Sequence, residues 1–290
     1  MLKNEEKRVK EIRKAYAKCG ATPEVVSAFQ TFVRDYYHQE GRDFSWRRTR
    51  DPYEILVSEV MLQQTPTGRV EKKYPEFLQS FPTVHDLAEA GFDDVLSLWR
   101  GLGYNRRAKS LKRSAEIIVD EHSGEVPRDL DELMELPGVG KSTASGVLAF
   151  AYDEPVVFVE VNIRRVFIYF FFPDREKVRD REMLPLVDGT LDRDDPRSWY
   201  YGLMDYGVTL KERHSDLHRK SARYRKQAPF EGSDRQIRGQ ILRLLLDQKS
   251  STAKEIRQSL DAESDRVEEN LCNLVEEGMV REQEGTYRVS

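Results

Sequence analysis

Cysteine is scarce in this chain, and its scarcity excludes several classes of protein. The 290 residues contain two cysteines, Cys19 and Cys272, which lie far apart in the sequence. They rule out a disulfide framework and a four-cysteine metal or iron–sulfur site, and they favour a reducing compartment. No stretch approaches the roughly 18 apolar residues of a membrane span, and the charged N-terminal residues lack the apolar core of a secretory signal. We therefore expect a cytoplasmic protein without a membrane span.

Glycine and proline are also few, with 17 and 12 residues, while hydrophobic residues make up 39% and charged residues 34%. This composition is typical of globular domains and excludes collagen-like, low-complexity and wholly disordered chains. At about 150 residues per domain, the length predicts two or three domains. The net charge of −4 excludes only a uniformly basic surface, because 47 basic and 51 acidic residues can still be sorted onto different faces.

Helical periodicity dominates from about residue 22 to residue 220, with short breaks rich in proline, glycine and serine. Residues 1–20 alternate charges with a thin apolar stripe, which predicts a solvated helix or a frayed extension. The apolar run Val156–Val159 could form a strand, but it is short and lies between helical patterns. The pattern predicts an all-α class over residues 21–230.

A different composition follows the loop at residues 228–233. We expect three helices and then a two-stranded hairpin, at Gln236–Asp247, Thr252–Leu260, Ser264–Glu277, Met279–Gln283 and Thr286–Val289. Thr252 and Glu255 have the spacing of a capping box. Residues 234–290 are therefore predicted to form a winged helix.

Glu59 interrupts a nearly continuous apolar run in the predicted helix around residues 55–64. Its neighbours one turn away include Ile55, Leu56 and Leu62, so its face of the helix is mostly hydrophobic. Burial there would raise the pKa of Glu59 and keep it protonated near neutrality, as a general acid requires. The alternative is a glutamate at the margin of an amphipathic stripe.

Glu160 also interrupts an apolar run, but it lies just before Asn162, a good N-cap for a helix that starts at Ile163. The helix dipole and free N–H groups favour the charged form of a carboxylate at that position. The alternative is ordinary capping. One acid held neutral and one held anionic is the pattern that splits a glycosidic bond.

Residues Leu133–Gly146 contain Leu-Pro-Gly-Val-Gly between two predicted helices. Gly138 and Gly140 allow backbone N–H groups to approach a phosphate, with a helix N-terminus behind them and Lys141 beside them. Such a hairpin binds a nucleic acid backbone without reading its sequence. The alternative is a plain glycine-rich turn.

These strings together resemble the helix-hairpin-helix (HhH-GPD) DNA glycosylases, and among them the MutY adenine glycosylases. The strings run in order over about residues 25–210: Trp46-Arg47, Asp51–Glu54, Ser58–Thr65, Trp99–Tyr104, Leu136–Thr143, Asn162–Val166 and Met204–Gly207. The resemblance implies an all-α, two-lobed fold with a DNA-facing cleft, a six-helix barrel over about 48–158 and a second lobe from 21–47 plus 159–230. The N-terminal extension (1–20) and the winged helix (234–290) lie outside it.

The resemblance also implies roles for single residues. Glu59 stands at the acid that protonates the departing adenine, and Glu160 stands where the family has an Asp that stabilises the cationic sugar. The target nucleotide is flipped out of the duplex. The residues expected to bind DNA lie at the end of the predicted helix around residues 55–64, in the Trp99–Tyr104 string and in the hairpin. They are Gln63, Gln64, Tyr104, Gly138, Gly140 and Lys141. Gln64 and Tyr104 match residues pushed into the base stack, and Trp46, Arg47 and Asp205 match the base pocket.

Three departures from the family refine these expectations. Glu160 is one methylene longer than Asp, so compensating geometry is required. Ser142 occupies the catalytic position of the Schiff-base lysine in endonuclease III relatives, and a lyase needs an amine there. Lys141 is adjacent but points about 100° away around the helix. We therefore expect a monofunctional glycosylase. Asn105, where the family usually has a second Tyr, weakens adenine as the target.

The family's four-cysteine cluster loop is replaced by a basic stretch. Lys211, His218, Ser221 and Gln227 fall at the ligand spacing, and none is a cysteine. Nine cations stand there against four acids, and they are Lys211, Arg213, Arg219, Lys220, Arg223, Arg225, Lys226, Arg235 and Arg238. Of these, Arg219, Lys220 and Arg223 are expected to contact phosphates without metal. No iron–sulfur cluster is expected. A monovalent cation is expected at the hairpin.

The predicted third helix of the winged helix is acidic and suits a major groove poorly. We interpret the module as packing on the catalytic lobes or recruiting a protein partner. The overall prediction is a monomeric, monofunctional glycosylase that removes a base, adenine opposite 8-oxoguanine or guanine, from mismatched double-stranded DNA. The alternatives are a glycosylase for a deaminated or oxidised base and a non-catalytic DNA-binding protein.

Overall fold

The computed structural model describes residues 2–214, 216–224 and 228–290. Over these residues the chain is mostly helical with few strands, which confirms the predicted all-α class. The helices are α1 Leu2–Cys19, α2 Pro23–Glu40, α3 Pro52–Leu62, α4 Thr67–Ser80, α5 Val84–Glu89, α6 Phe92–Leu98, α7 Arg106–Glu121, α8 Leu130–Glu135, α9 Lys141–Ala151, α10 Val161–Phe171, α11 Asp180–Thr190, α12 Pro196–Arg213, α13 Asp234–Gln248, α14 Ala253–Ser259 and α15 Ser264–Glu276. Within the described part of the chain, no helix is long and apolar enough to span a membrane.

The chain divides into two compact units. The first unit comprises Met1–Ile55, Arg128–Leu130 and Gly140–Arg225. The second unit comprises Leu56–Pro127, Asp131–Val139 and Lys226–Ser290. The division into an extension, a catalytic core and a winged helix that the sequence suggests stays a prediction.

The first unit is organised around α10, which contacts α12 and α1, while α12 also packs on α2. Aromatic side chains fill this core, and Phe29 makes edge-to-face contacts with Phe167, Phe170 and Trp199 at ring-centre distances of 4.9–5.6 Å. Helix α1 belongs to the same core. The helix that was one of the two expectations is confirmed, and most of its described residues are not buried. Its apolar stripe is not solvated, because Val9 and Ile12 are buried against the unit.

The run before Glu160 is irregular, and Val156–Val159 forms no strand. Instead, a hydrogen bond and a ring contact hold this segment in the first unit. The Tyr200 hydroxyl donates to the Val156 carbonyl oxygen at 2.5 Å, and the Phe158 and Tyr200 rings lie 4.3 Å apart. These contacts from α12 fix the segment that leads to α10.

In the second unit α7 packs against α5 and α6, and Trp99 is fully buried. Helix α5 begins at a capping box in which Thr83 and Asp86 bond each other's backbone N–H groups. The amphipathic stripe of α7 includes Leu111, Ala115 and Ile118, all buried. This helix therefore forms the centre against which the neighbouring elements pack.

The C-terminal segment contains the three predicted helices and the predicted hairpin, β2 Val280–Gln283 and β3 Thr286–Val289. The Thr252–Glu255 capping box is confirmed. A further strand, β1 Ser251–Thr252, pairs antiparallel with β3, so the sheet order is β1-β3-β2. The sequence did not indicate β1 because two residues carry no periodicity. The winged-helix assignment stays a prediction.

Ion pairs join this segment to α7 within the second unit. Glu277, at the end of α15, accepts from Arg106 Nε at 2.7 Å and from Arg238 at 2.5 Å, and its carbonyl oxygen accepts from Lys109. Arg106 and Arg238 hold the pKa of the Glu277 carboxyl below its ordinary value. Helix α15 itself contacts α13, α14 and β2, and Glu277 after it links the segment to α7. Packing was one of the two interpretations of the sequence.

Candidate active site

Glu59 lies on α3, in a stretch of the helix that is otherwise apolar. Its preceding turn contributes Ile55 and Leu56, both 1% exposed, and the Glu59 side chain is half-buried. The mostly hydrophobic helix face expected from the sequence is therefore present. That Glu59 carries the proton that a general acid needs stays a prediction.

Glu160 caps α10 with its own side chain. Its Oε1 accepts from the N–H groups of Asn162 and Ile163, both at 2.7 Å, and Oε2 accepts from Asn162 Nδ2 at 3.2 Å. Glu160 itself is the N-cap, while Asn162, the expected cap, lies inside the first turn. The longer side chain of Glu is well suited to this contact because it folds back onto its own helix.

The electrostatic expectation for Glu160 is wrong in direction. Loss of solvation raises the pKa of the Glu160 carboxyl above its ordinary value, and this effect outweighs the two amide hydrogen bonds and the lowering effect of Arg165 and Arg164. The helix start was predicted to favour the charged form, and it does act in that sense. Burial is the larger effect, so ionising Glu160 costs free energy in the folded protein.

A close approach of two helices fixes the Glu160 cap. A Cβ at Gly207 on α12 would lie 2.5 Å from the Asn162 carbonyl oxygen, so only glycine fits there. Arg165 donates to the Asn162 side-chain oxygen and orients that amide. Gly207 of the Met204–Gly207 string thus has a structural reason for its identity.

The expected base-pocket residues Arg47 and Asp205 meet in the first unit. Arg47 donates two hydrogen bonds to Asp205, at 2.7 and 2.8 Å, and the Asp205 side chain is 1% exposed. Arg42 adds its backbone N–H and its Nε to the same carboxylate. Trp46 is buried and stacks on Phe44 at 4.6 Å. Asp205 therefore acts on Arg47 and Arg42, which it holds in place.

The hairpin after α8 has the conformation that its glycines predict. Gly138 has φ +77°, and a Cβ there would lie 2.8 Å from Ser110 Cβ in the second unit. Gln63 Nε2 donates to the Gly138 carbonyl oxygen at 3.1 Å, which joins the hairpin to the end of α3. Helix α9 then begins after Gly140, with Lys141 and Ser142 exposed in its first turn.

Gln64 and Tyr104, the two residues expected to enter the base stack, share an unusual backbone conformation. Their φ angles are +55° and +49°, in the left-handed region that residues other than glycine rarely adopt. Gln64 is exposed and Tyr104 is half-buried. Backbone strain of this kind concentrates at functional sites.

Arg107 joins the two strained turns, and sequence reasoning missed it. Its guanidinium donates to the carbonyl oxygens of residues 60, 61, 102 and 103 at 2.8–3.3 Å and to the Thr65 hydroxyl at 2.9 Å. Burial lowers the pKa of Arg107 to about 10, so it keeps its charge at neutral pH. The sequence offered one signal for this role, which is that Arg107 lies one helical turn before the buried Leu111.

The expected phosphate contacts in the basic stretch are already paired within the first unit. Arg219 lies 3.1 Å from Asp216, Lys220 donates to the Pro173 carbonyl oxygen, and Arg223 lies 2.8 Å from Asp180. Arg219 and Arg223 are 65% and 73% exposed, and such surface pairs are weak enough to exchange for phosphates. Arg225, Lys226 and Gln227 lie outside the described residues.

Comparison with known proteins places this geometry in a family. The family model described as HhH-GPD superfamily base excision DNA repair protein matches residues 57–187. The adenine DNA glycosylase of Mycolicibacterium smegmatis is 35% identical over 271 residues, which cover 85% of this chain and 90% of that relative. The chain belongs to the HhH-GPD superfamily of base excision DNA repair proteins.

Two further relatives share this HhH-GPD fold. The thymine/uracil-DNA glycosylase of Methanothermobacter thermautotrophicus is 29% identical over 193 residues, covering 66% of this chain and 87% of that protein. The solved structure of a thermostable thymine-DNA glycosylase has a TM-score of 0.58 and 28% identity, covering 63% of this chain and 86% of that one. The HhH-GPD chain is a DNA N-glycosylase, and its substrate is DNA.

The residues of this HhH-GPD chain do not fit an iron–sulfur cluster. Lys211, Ser221 and the residues at 218 and 227 stand at the ligand spacing, and none supplies the thiolate that such clusters require. Cys19 and Cys272 are free and exposed. In the described part of the chain, no group of three His, Cys, Asp or Glu residues is arranged to hold a metal ion.

A substitution at Arg107 tests the link between the two turns. Arg107→Met removes five hydrogen bonds of a buried side chain, while the carbonyl oxygens of residues 60, 102 and 103 each keep one other donor. We therefore expect a loss on the order of 3 kcal/mol in the free energy of unfolding. Urea unfolding measures it. Arg100→Met is the matched control, because Arg100 is 40% exposed and pairs with Asp247 at the surface. Equal midpoints for Arg107→Met and the native chain would contradict the assigned role.

Proposed function

We propose that the chain excises adenine mispaired with 8-oxoguanine or guanine from double-stranded DNA. The observation that carries the proposal is the 35% identity with an adenine DNA glycosylase over 85% of this chain and 90% of that relative. The Ser58–Thr65 string, with its acid and its exposed Gln64 turn, supports it. The monomeric state, the cytoplasmic location and a protein partner for the C-terminal segment belong to the same proposal.

The proposed reaction divides between two acids. Protonated Glu59 donates its proton to N7 of adenine, the bond between N9 and C1′ breaks, and its electron pair stays on the purine. The sugar becomes an oxocarbenium-like cation, which the Glu160 carboxylate stabilises. Water then attacks C1′ and gives a proton to the Glu59 carboxylate, which leaves an abasic site and restores protonated Glu59. The raised pKa of Glu160 sets the lower pH limit of activity, because the carboxylate must be ionised.

The proposed DNA contacts use the strained turns and the hairpin. Gln63, Gln64 and Tyr104 enter or border the base stack, and the N–H groups around Gly138 and Gly140 with Lys141 hold a phosphate. Arg219, Lys220 and Arg223 add phosphate contacts. A monovalent cation at the hairpin carbonyls is part of the proposal, and activity in potassium compared with a bulky organic cation tests it.

A panel of duplexes tests the choice of base. Each duplex holds one mismatch, with adenine opposite 8-oxoguanine, guanine, cytosine or thymine, or with thymine or uracil opposite guanine, and alkali cleavage reveals abasic sites. We expect cleavage at adenine opposite 8-oxoguanine and guanine. Cleavage at thymine or uracil instead would favour the second candidate, which the similarity to the thymine/uracil-DNA glycosylase supports. No cleavage of any duplex would overturn both.

Ser142 makes the proposed enzyme monofunctional, and a single substitution tests this. The native chain is expected to give no covalent DNA adduct with borohydride, because the exposed first turn of α9 has a hydroxyl at residue 142. Ser142→Lys supplies an amine, so we expect a trapped Schiff-base adduct on a gel. Ser142→Ala is the control and should trap nothing. Efficient trapping by the native chain would contradict the assignment.

A further inference from the structure

The loop at residues 228–233 is rigid, although it lies at the surface of the second unit. Arg235 NH2 donates to the carbonyl oxygens of Ala228 and Pro229, and Ser233 donates its N–H and its hydroxyl to the Phe230 carbonyl oxygen. Gly232 donates its N–H to Gln236 at 2.7 Å and accepts from Arg266 at 2.9 Å. The backbone on both sides of Phe230 is therefore fixed.

This rigid loop presents a large apolar side chain to solvent. Phe230 is 59% exposed, the highest value among the large hydrophobic residues that the structure describes as exposed. Hydrophobic burial does not account for a phenyl ring in this position. An open ring on a backbone that is hydrogen-bonded on both sides fits a binding surface, because the cost of ordering that backbone is already met within the protein.

Arg235 connects this ring to Tyr104. Its NH1 donates to the Tyr104 hydroxyl at 3.1 Å, and its guanidinium carbon lies 6.0 Å from the Tyr104 ring centre and 6.0 Å from the Phe230 ring centre. Its bonds go to a phenol and to two carbonyl oxygens, none of which carries a charge. The guanidinium lies between two aromatic rings.

We propose that Phe230, Arg235 and Tyr104 form a DNA-contacting cluster, in which Phe230 stacks on a base and Arg235 contacts a backbone phosphate. An exposed aromatic ring beside a cation is the combination that binds nucleotides through stacking and charge. The cluster rests on the proposed function because Tyr104 is the residue expected to enter the base stack. The C-terminal segment thereby contacts DNA through the loop before α13, while Glu277, which follows the acidic α15, bonds to α7.

The test of stacking measures binding of the full chain to a mismatched duplex by fluorescence anisotropy at fixed salt. We expect Phe230→Ala to weaken binding between about 5- and 150-fold, the range for one stacked base. Phe230→Leu should lose as much, because it keeps the apolar bulk but has no aromatic face. Phe230→Trp should bind as the native chain does. Native affinity in the Ala and Leu variants would overturn the proposal.

The test of the phosphate contact is the dependence of binding on salt. Arg235→Met is expected to reduce the slope of log K against log salt by about 0.9, the value for one phosphate contact. Arg281→Met, at an exposed site on β2, is the matched control and should keep the native slope. An unchanged slope in Arg235→Met would overturn the phosphate contact. Because binding is read without base release, an inactive native chain would refute the proposed function and leave this test valid.

Discussion

Glu59→Gln is expected to slow base release by about 10²- to 10⁴-fold, the range for loss of a general acid. The glutamine side chain has nearly the same shape and can occupy the half-buried position on α3, but it has no proton to give to the base. Single-turnover release from the preferred duplex measures the rate. DNA affinity should stay near the native value because the loss falls on the bond-breaking step.

The control for this prediction is a glutamate outside the proposed site. Glu71 is exposed on the neighbouring helix α4, and Glu71→Gln is expected to release base at the native rate. A Glu59→Gln chain that folds, binds the duplex and releases base at the native rate would remove Glu59 from the mechanism. Equal losses in both variants would point to a general effect of charge.

Glu160→Gln is expected to slow base release by about 10²- to 10³-fold and to make the protein more stable at neutral pH. The carboxylate is required to stabilise the sugar cation, which the neutral amide cannot do. The stability change follows from the raised pKa of Glu160. The folded state holds this proton more tightly than the unfolded state. The stability that the protonated carboxyl contributes to the folded protein is therefore lost as the pH rises through its folded pKa. Glutamine removes that loss and keeps an oxygen for the two N–H groups of α10.

Thermal unfolding of both proteins between acidic and neutral pH tests this sign. The melting temperature of Glu160→Gln should exceed the native one at neutral pH, and the two should converge as the pH falls. Glu182 is the control, because its pKa is lowered by the Arg179 N–H and by Arg175, so Glu182→Gln should lower stability at neutral pH and leave activity unchanged. A less stable Glu160→Gln, or one with native activity, would contradict the assignment.

The sequence contained enough to predict most helices and the family, because these depend on local patterns. Thr252 and Glu255 have a spacing that can be read directly, and the helix start after Glu160 was predicted as well, although its cap was expected at Asn162 and is Glu160. The direction of the Glu160 pKa shift could not be read in the same way. It depends on how much solvent the packed chain removes, and a capping pattern carries no information on that.

The residues that sequence reasoning missed act through contacts distant in the chain. Arg107 bonds residues 42 to 47 positions away, and Arg235 bonds Tyr104 across 131 positions. Contacts between residues so far apart in the chain leave no periodic pattern in the sequence. Helix α1 was misjudged for the same reason, because its thin apolar stripe finds partners on α10 far along the chain.

The central claim is that Glu59 and Glu160 act in one reaction that breaks the bond between a base and its sugar. Mass spectrometry of the free base released in a single turnover tests it most directly, with the native chain, each single Gln variant and the double variant on adenine opposite 8-oxoguanine. Free adenine equal to the enzyme added is expected from the native chain. The double variant should be little slower than either single variant, as for residues that act as a unit. No adenine from the native chain, or native rates in either single variant, would contradict the account.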